Sequence, residues 1–98
     1  MSDWYIYLIR CRDGSLYTGI AVDVARRFAA HQIGIGAKYL RGRAPLALVF
    51  QKKIGSRSMA TAVEIKVKQL PKAKKEYLIR TPRTINTIVK QVNSKGLA

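Results

Sequence analysis

The chain has 98 residues, 48% of them apolar, which suits one folded domain and argues against disorder throughout. Its 19 Lys and Arg face only five acidic residues, a net charge of +14, and self-repulsion on that scale points to an anionic partner. Nucleic acid suits this better than a membrane, because the basic residues are spread along the chain and no helix pairs a basic face with a broad apolar one. The longest apolar run, Ala44 to Phe50, is too short to span a bilayer, and Asp3 and Arg10 interrupt any signal peptide. A single cysteine, Cys11, excludes an internal disulfide and a cysteine-based zinc cage, so a cytoplasmic setting is expected.

Residues 4–11, WYIYLIRC, are β-branched and aromatic and predict a strand; SLYTG, residues 15–19, predicts its hairpin partner. A two-residue loop at Asp13 and Gly14 would send Tyr7 and Tyr17 to opposite faces of the sheet. A three-residue loop, Arg12-Asp13-Gly14, pairs Cys11 with Ser15 and brings both hydroxyls to one face, with Tyr7 opposite Gly19 and Tyr17 opposite Ile9. Gly14 suits the left-handed third position of that loop, so the longer loop is expected. Asp23 then caps a helix with Val24, Phe28 and the small Ala25 and Ala29 facing inward, and the glycines of IGIG stop it near Gln32. Arg27 and His31 are four apart on one face of it.

GAKYLRGRAP predicts a basic loop, and LALVFQKK a third strand whose nearly unbroken apolar run favours the central position. Ser56 or Ser58 opens a second long helix with Met59, Val63, Val67 and Leu70 as its inward stripe. Pro71 suits the first turn of a third helix, PKAKKEYLIR, which Pro82 closes, and Thr84 caps a short terminal helix carrying Ile85, Ile88, Val89 and Val92. The order β-β-α-β-α-α with an extra C-terminal helix predicts an α+β domain, a three-stranded antiparallel sheet with flanking helices.

Five carboxylates are available, and four have evident local uses. Asp3 is terminal, Asp13 sits in the turn, Asp23 caps a helix, and Glu76 is flanked by Lys74 and Lys75; Glu64 alone borders an apolar stripe on a helix able to face a site. Each candidate also has an ordinary explanation. Tyr7 and Tyr17 fit a cross-strand aromatic cluster, His31 a helix dipole, Glu64 and Lys68 an i,i+4 pair, and Arg27 a solvated charge.

Taken together, YIY ending at Tyr7, YTG at Tyr17 to Gly19, Arg27, His31 and the helix-borne Glu64 resemble the GIY-YIG nuclease family over about residues 3–80. The GAKYLRGRAPL stretch is similar to that of the small stand-alone bacterial members. Tyr5 stands where the first triplet carries Gly, and Thr18 where the second carries Ile. Asn86 and Asn93 have no assigned part in the Asn-supported site of many relatives.

The resemblance implies a nuclease domain over residues 3–80, with 81–98 an extension carrying a short helix and a flexible end. It implies a metal-dependent endonuclease that cuts DNA, whether duplex, single-stranded or branched. Tyr7 is then the general base for water, Tyr17 orients water or phosphate, Arg27 grips the phosphate, and His31 binds a phosphate oxygen or relays a proton. Glu64 holds a single Mg²⁺ or Mn²⁺, which one carboxylate with waters and substrate phosphate can do; two metals would need more carboxylates. Arg26, Lys38, Tyr39, Arg41 and Arg43 are expected to contact nucleic acid, the loop residues through phosphates and stacking. No recognition helix is evident, so weak sequence preference is expected. The alternatives are a non-catalytic nucleic-acid-binding module, or a small adaptor whose terminal helix docks on a protein.

Overall fold

The computed structural model describes residues 3–97. Strand β1 (Trp4–Arg10) pairs antiparallel with β2 (Leu16–Ala21) on one side and with β3 (Ala47–Gly55) on the other, in the order β2-β1-β3. Helix α1 (Val24–Gln32) follows the hairpin; α2 (Arg57–Gln69), α3 (Lys72–Arg80) and α4 (Ile85–Leu97) follow β3. The α+β class, the three-stranded antiparallel sheet and the C-terminal helix are as the sequence predicts. No helix among the described residues is long and apolar enough to cross a membrane.

The hairpin closes through the three-residue loop. The Cys11 amide donates to Ser15 at 2.9 Å, and the Gly14 amide to Cys11 at 2.9 Å. Gly14 has φ +86°, a conformation that favours glycine, while Asp13 Oδ1 accepts from the Ser15 amide at 3.0 Å and hydroxyl at 2.7 Å. These local bonds set the register that places Tyr7 opposite Gly19 and Ile9 opposite Tyr17.

The strand order corrects one expectation: β3 is an edge, and β1 is central. All four residues from Ile6 to Ile9 are buried, two toward each face, whereas Phe50 alone is buried in β3. An apolar run reports hydrophobicity, not how many neighbours a strand pairs with. Exposed Lys52 and Lys53 suit an edge, where lysines discourage pairing with another chain. Register shifts against β1 between Trp4 and Tyr5, and between Leu8 and Ile9, also interrupt its alternation.

Two cores flank the sheet. On one side Ile6, Leu8 and Phe50 pack with Val63 and Val67 of α2, Leu78 of α3, and Ile85 and Val92 of α4. On the other, Tyr7, Ile9, Cys11, Ala21, Val24 and Leu40 lie under α1 and the loop after it, with Phe28 packed against them. Ala25 and Ala29 are exposed, contrary to expectation; Val24, Phe28 and His31, at i, i+4 and i+7, form the inward stripe. The alanines' small size made them look internal, but helical spacing turns them outward once His31 is inside.

Asp23 caps α1 by accepting from the Arg26 amide at 3.0 Å, and Ser56 rather than Ser58 caps α2 through the Met59 amide at 3.2 Å. Within α2 the buried stripe is Ala60, Val63 and Val67, with Met59 and Leu70 only partly covered. Arg10 at the end of β1 grips Glu76 of α3 through two bonds of 2.6 and 2.7 Å, tying sheet to helix. The terminal helix spans 13 residues and is longer than the short one expected; of the expected flexible end, Ala98 lies outside the described residues.

Candidate active site

Tyr7 is the centre of the polar face, 1% exposed on the middle strand. Its ring lies across the backbone of Gly19, its cross-strand partner. A Cβ at that position would stand 2.5 Å from both Cζ and Oη of Tyr7 and 3.1 Å from Cε2 of Tyr17. Glycine is therefore required by close approach of a ring rather than by backbone conformation. Tyr17 sits diagonally from Tyr7 with ring centroids 6.3 Å apart, so the hairpin register brings both tyrosines to one face.

His31 completes the cluster from the last turn of α1. Its Nε2 lies 2.9 Å from Tyr7 Oη, and its ring meets the edge of Tyr17 at 5.6 Å between centroids. The Ala37 amide donates to His31 Nδ1 at 3.0 Å. A nitrogen that accepts from an amide carries no proton, so the neutral ring bears its proton on Nε2 and donates it to Tyr7 Oη. Burial, and then the charge of Arg27, hold the His31 pKa below its ordinary value of 6.5, consistent with that neutral form. With both nitrogens engaged, neither is left for a phosphate oxygen in this arrangement. His31 orients Tyr7 instead.

This support is not legible in the residue types alone. Gly36 was expected only to stop a helix, yet a Cβ there would collide with the His31 ring. The available signal was a glycine five residues beyond a histidine. A backbone donor such as the Ala37 amide leaves no trace in residue type.

Electrostatics decides what Tyr7 can do unaided. Burial, helped by Tyr17 and Glu64, pushes its hydroxyl up to about 12, although Arg27 pulls the other way. A phenol so weakly acidic is neutral near pH 7 and needs another cation to become a base. Arg27 is exposed at its residue level, yet its charge reaches both Tyr7 and His31.

Glu64 is the carboxylate whose charge reaches Tyr7, and its side chain is 17% exposed beside Lys68 at 3.4 Å. The other four are committed. Asp3 pairs with Lys53 at 3.7 Å, Asp13 with Arg43 at 3.1 Å, Glu76 with Arg10 at 2.6 Å, and Asp23 caps α1. Among the described residues no three His, Cys, Asp or Glu side chains gather as a metal cage. One carboxylate held only by a flexible lysine fits an Mg²⁺ or Mn²⁺ that keeps its waters and shares the substrate phosphate; it does not fit a structural zinc site.

The loop from Lys38 to Arg43 walls the cluster. Tyr39 stacks on Tyr17 at 5.9 Å and carries the Arg43 guanidinium 4.2 Å over its ring, while Arg43 Nε donates to Tyr39 O at 2.7 Å. Tyr39 thus braces Tyr17, and its ring is already engaged by two neighbours. Lys38 and Arg41 are exposed; Arg41 borders a small cleft with Arg12, Asp13 and Arg43. Arg26, the residue before Arg27, lines a larger cleft with it.

The model of the GIY-YIG catalytic domain matches residues 3–77. The UPF0213 protein of Cronobacter sakazakii is 58% identical over 79 residues, 81% of this chain and 83% of that one. UPF0213 protein YhbQ of Salmonella arizonae is 45% identical over 97 residues, 99% of this chain and 97% of its own. Two solution NMR structures are similar. The UPF0213 protein BH0048 from Bacillus halodurans has TM-score 0.53 and 44% identity, over 81% of this chain and 84% of that one. Protein EF2693 from E. faecalis has TM-score 0.60 and 35% identity, over 86% and 90%.

Proposed function

The chain belongs to the GIY-YIG family, and on that premise we propose that it is a divalent-metal-dependent endonuclease hydrolysing phosphodiester bonds in DNA with low sequence preference, single-stranded or branched forms included. The catalytic unit is residues 3–80, with 81–98 an appended extension. The observation that carries this reading is the oriented Tyr7: its hydroxyl accepts a hydrogen bond from a tautomer-locked His31, with Arg27 and Glu64 close enough to change its acidity.

In this mechanism Tyr7 Oη takes a proton from water as the water oxygen attacks phosphorus. The His31 Nε2–H bond stabilises the phenolate that Tyr7 must first become, and taking the proton from water returns it to the neutral phenol. Arg27 pairs with non-bridging phosphate oxygens, a bidentate geometry that lysine lacks. Tyr17, braced by Tyr39, bounds the space in which the water sits. Glu64 would hold a single Mg²⁺ or Mn²⁺, which supplies positive charge for the phosphoryl oxygens and the leaving oxygen, and lowers the acidity barrier at Tyr7. The net charge of +14 provides the attraction for the DNA backbone.

The test is cleavage of plasmid, single-stranded and branched DNA in Mg²⁺ and in EDTA, by the native protein and by Glu64→Ala. Cleavage is expected only with metal, and Glu64→Ala should lose at least about 100-fold in rate while its DNA affinity stays within about twofold, because the basic surface is intact. Equal cutting by Glu64→Ala would remove the metal role. Binding without cutting on every substrate would make the protein a nucleic-acid-binding module.

A further inference from the structure

Beside the tyrosine cluster lies a cleft of about 510 Å³ that the mechanism touches only through Arg27. Its floor is apolar, made by Ile20 and Ala21 of β2 and Ala30 of α1. Its rim carries three guanidinium groups, Arg26 and Arg27 from α1 and Arg57 from the first turn of α2. Trp4, at the start of β1, lines it as well, and Arg57 lies over the indole at 5.2 Å. Three cations and one indole therefore share a cleft with apolar lining, and one of the cations, Arg57, lies over the ring.

Among the described residues one acid, Asp23, shares the cleft with these three arginines, which leaves the rim net positive. Its Oδ1 accepts the Arg26 amide as the cap of α1, and every other carboxylate pairs elsewhere. Keeping three arginines together beside a single acid is electrostatically costly and favours an anion. A bare anion would leave the indole and the apolar floor unused. A lone aromatic would leave the arginines unused. A nucleotide uses both, because its base offers a flat apolar face and its phosphate a bidentate target. The volume lies within the range of pockets that hold small molecules.

Arg27 belongs to both the cleft and the surroundings of Tyr7, so an occupant of the cleft is next to the phosphate under attack. In a duplex the neighbouring base is paired and stacked inside the helix, and only its phosphate could reach the rim. We infer that this cleft is a nucleotide subsite, in which one unpaired nucleotide of a DNA strand, adjoining the scissile phosphate, lays its base against Trp4 while Arg26 and Arg57 hold its phosphate. The adjacency to a scissile phosphate rests on the endonuclease reading; binding of the nucleotide itself does not. The consequence is selection of single strands and of junctions with an unpaired nucleotide over continuous duplex.

Trp4 is the chain's only tryptophan, so intrinsic fluorescence reports on this cleft directly. The full-length protein in EDTA is titrated with a short oligothymidylate, with a duplex of matched phosphate content, and with inorganic pyrophosphate. Affinities of the labelled DNAs are read by anisotropy for the native protein, Trp4→Ala, Trp4→Phe and Arg57→Ala. The oligothymidylate should quench Trp4 strongly and the duplex weakly. Trp4→Ala should weaken single-strand binding about tenfold, but duplex binding by no more than about twofold, with Trp4→Phe restoring most of the loss. Arg57→Ala, at an exposed position that leaves the fold intact, should weaken the same single strand and lower its salt slope by about 0.7.

Equal losses on both DNAs, no quenching by bound single strand, or the same quenching by pyrophosphate would each overturn the subsite. Metal-dependent cutting is scored separately. Cutting with Trp4→Ala affinity unchanged removes the subsite and leaves the nuclease; quenching and selective loss without cutting keep the subsite and remove the nuclease.

Discussion

The two faces of the sheet share a central strand and differ in almost everything else. Ile6 and Leu8 point from β1 into a layer of three helices, where Phe50, Val63, Val67, Leu78 and Ile85 make an apolar core. Tyr7 and Ile9, their immediate neighbours, point to a face covered by one helix and a loop. There a buried tyrosine, a buried histidine and a second tyrosine lie in contact. The alternation of a strand lets one segment of seven residues serve both layers. Apolar packing is concentrated on the thickly covered face, and the tyrosine–histidine cluster is gathered on the thinly covered one.

Paired substitutions sharpen that contrast. Leu8→Ala should cost about 2–5 kcal/mol of stability, because it opens a cavity under three helices, while activity per folded molecule is kept. Gly19→Ala should cost less stability, about 1–3 kcal/mol by crowding, yet lose about 100-fold in cleavage, because it displaces the Tyr7 ring. Chemical denaturation with cleavage rates at matched folded concentration reads both. If Leu8→Ala lost activity first, the division between the faces would fail.

Among the described residues Thr18 is the buried polar side chain on the apolar side. It lies opposite Leu8, is 3% exposed, and its Oγ1 has no hydrogen-bond partner among the described residues. Thr18→Val should therefore stabilise the protein by about 1 kcal/mol, with cleavage unchanged. A destabilised variant would mean that a water or a moving group serves the hydroxyl.

A further contrast is the pH response of the polar face. Tyr7 is raised from 10.0 to about 12, so between those values the unfolded chain has released its proton and the folded chain has not. Stability present below pH 10 is lost as pH climbs through that window. For His31, held below 6.5, the sign reverses: stability present above that value is lost on acidification, because only the unfolded chain protonates readily. Melting temperatures across pH should show both limbs, and Tyr7→Phe should flatten the alkaline one.

Residues near in sequence were the easier to interpret. The hairpin loop, the register of Tyr7 against Gly19 and the cap at Asp23 follow from local turn and capping chemistry, which residue types express directly. The edge position of β3 depends on pairing across the whole chain, and its apolar run pointed the wrong way. Ala25 and Ala29 misled because size stood in for direction. At the candidate site the side chains Tyr7, Tyr17, Arg27, His31 and Glu64 were visible as letters. The Ala37 amide was not, nor the clearance Gly36 provides, nor the meeting of Trp4 with Arg57 from opposite parts of the chain. Tyr39 also stacks on Tyr17 and carries Arg43, two neighbours its letter did not announce, while it stays 45% exposed.

The most direct measurement is the rate of cleavage of single-stranded and branched DNA in Mg²⁺ by the native protein and by Tyr7→Phe, followed from about pH 6 to pH 9. Phenylalanine fills the same space over Gly19, so the fold is kept and only the hydroxyl is removed. The native rate should climb with pH as more of Tyr7 is deprotonated, and the Tyr7→Phe rate should be lower by about 100-fold or more. A variant that cuts at the native rate, with the same pH profile, would contradict the assignment of Tyr7 as the base.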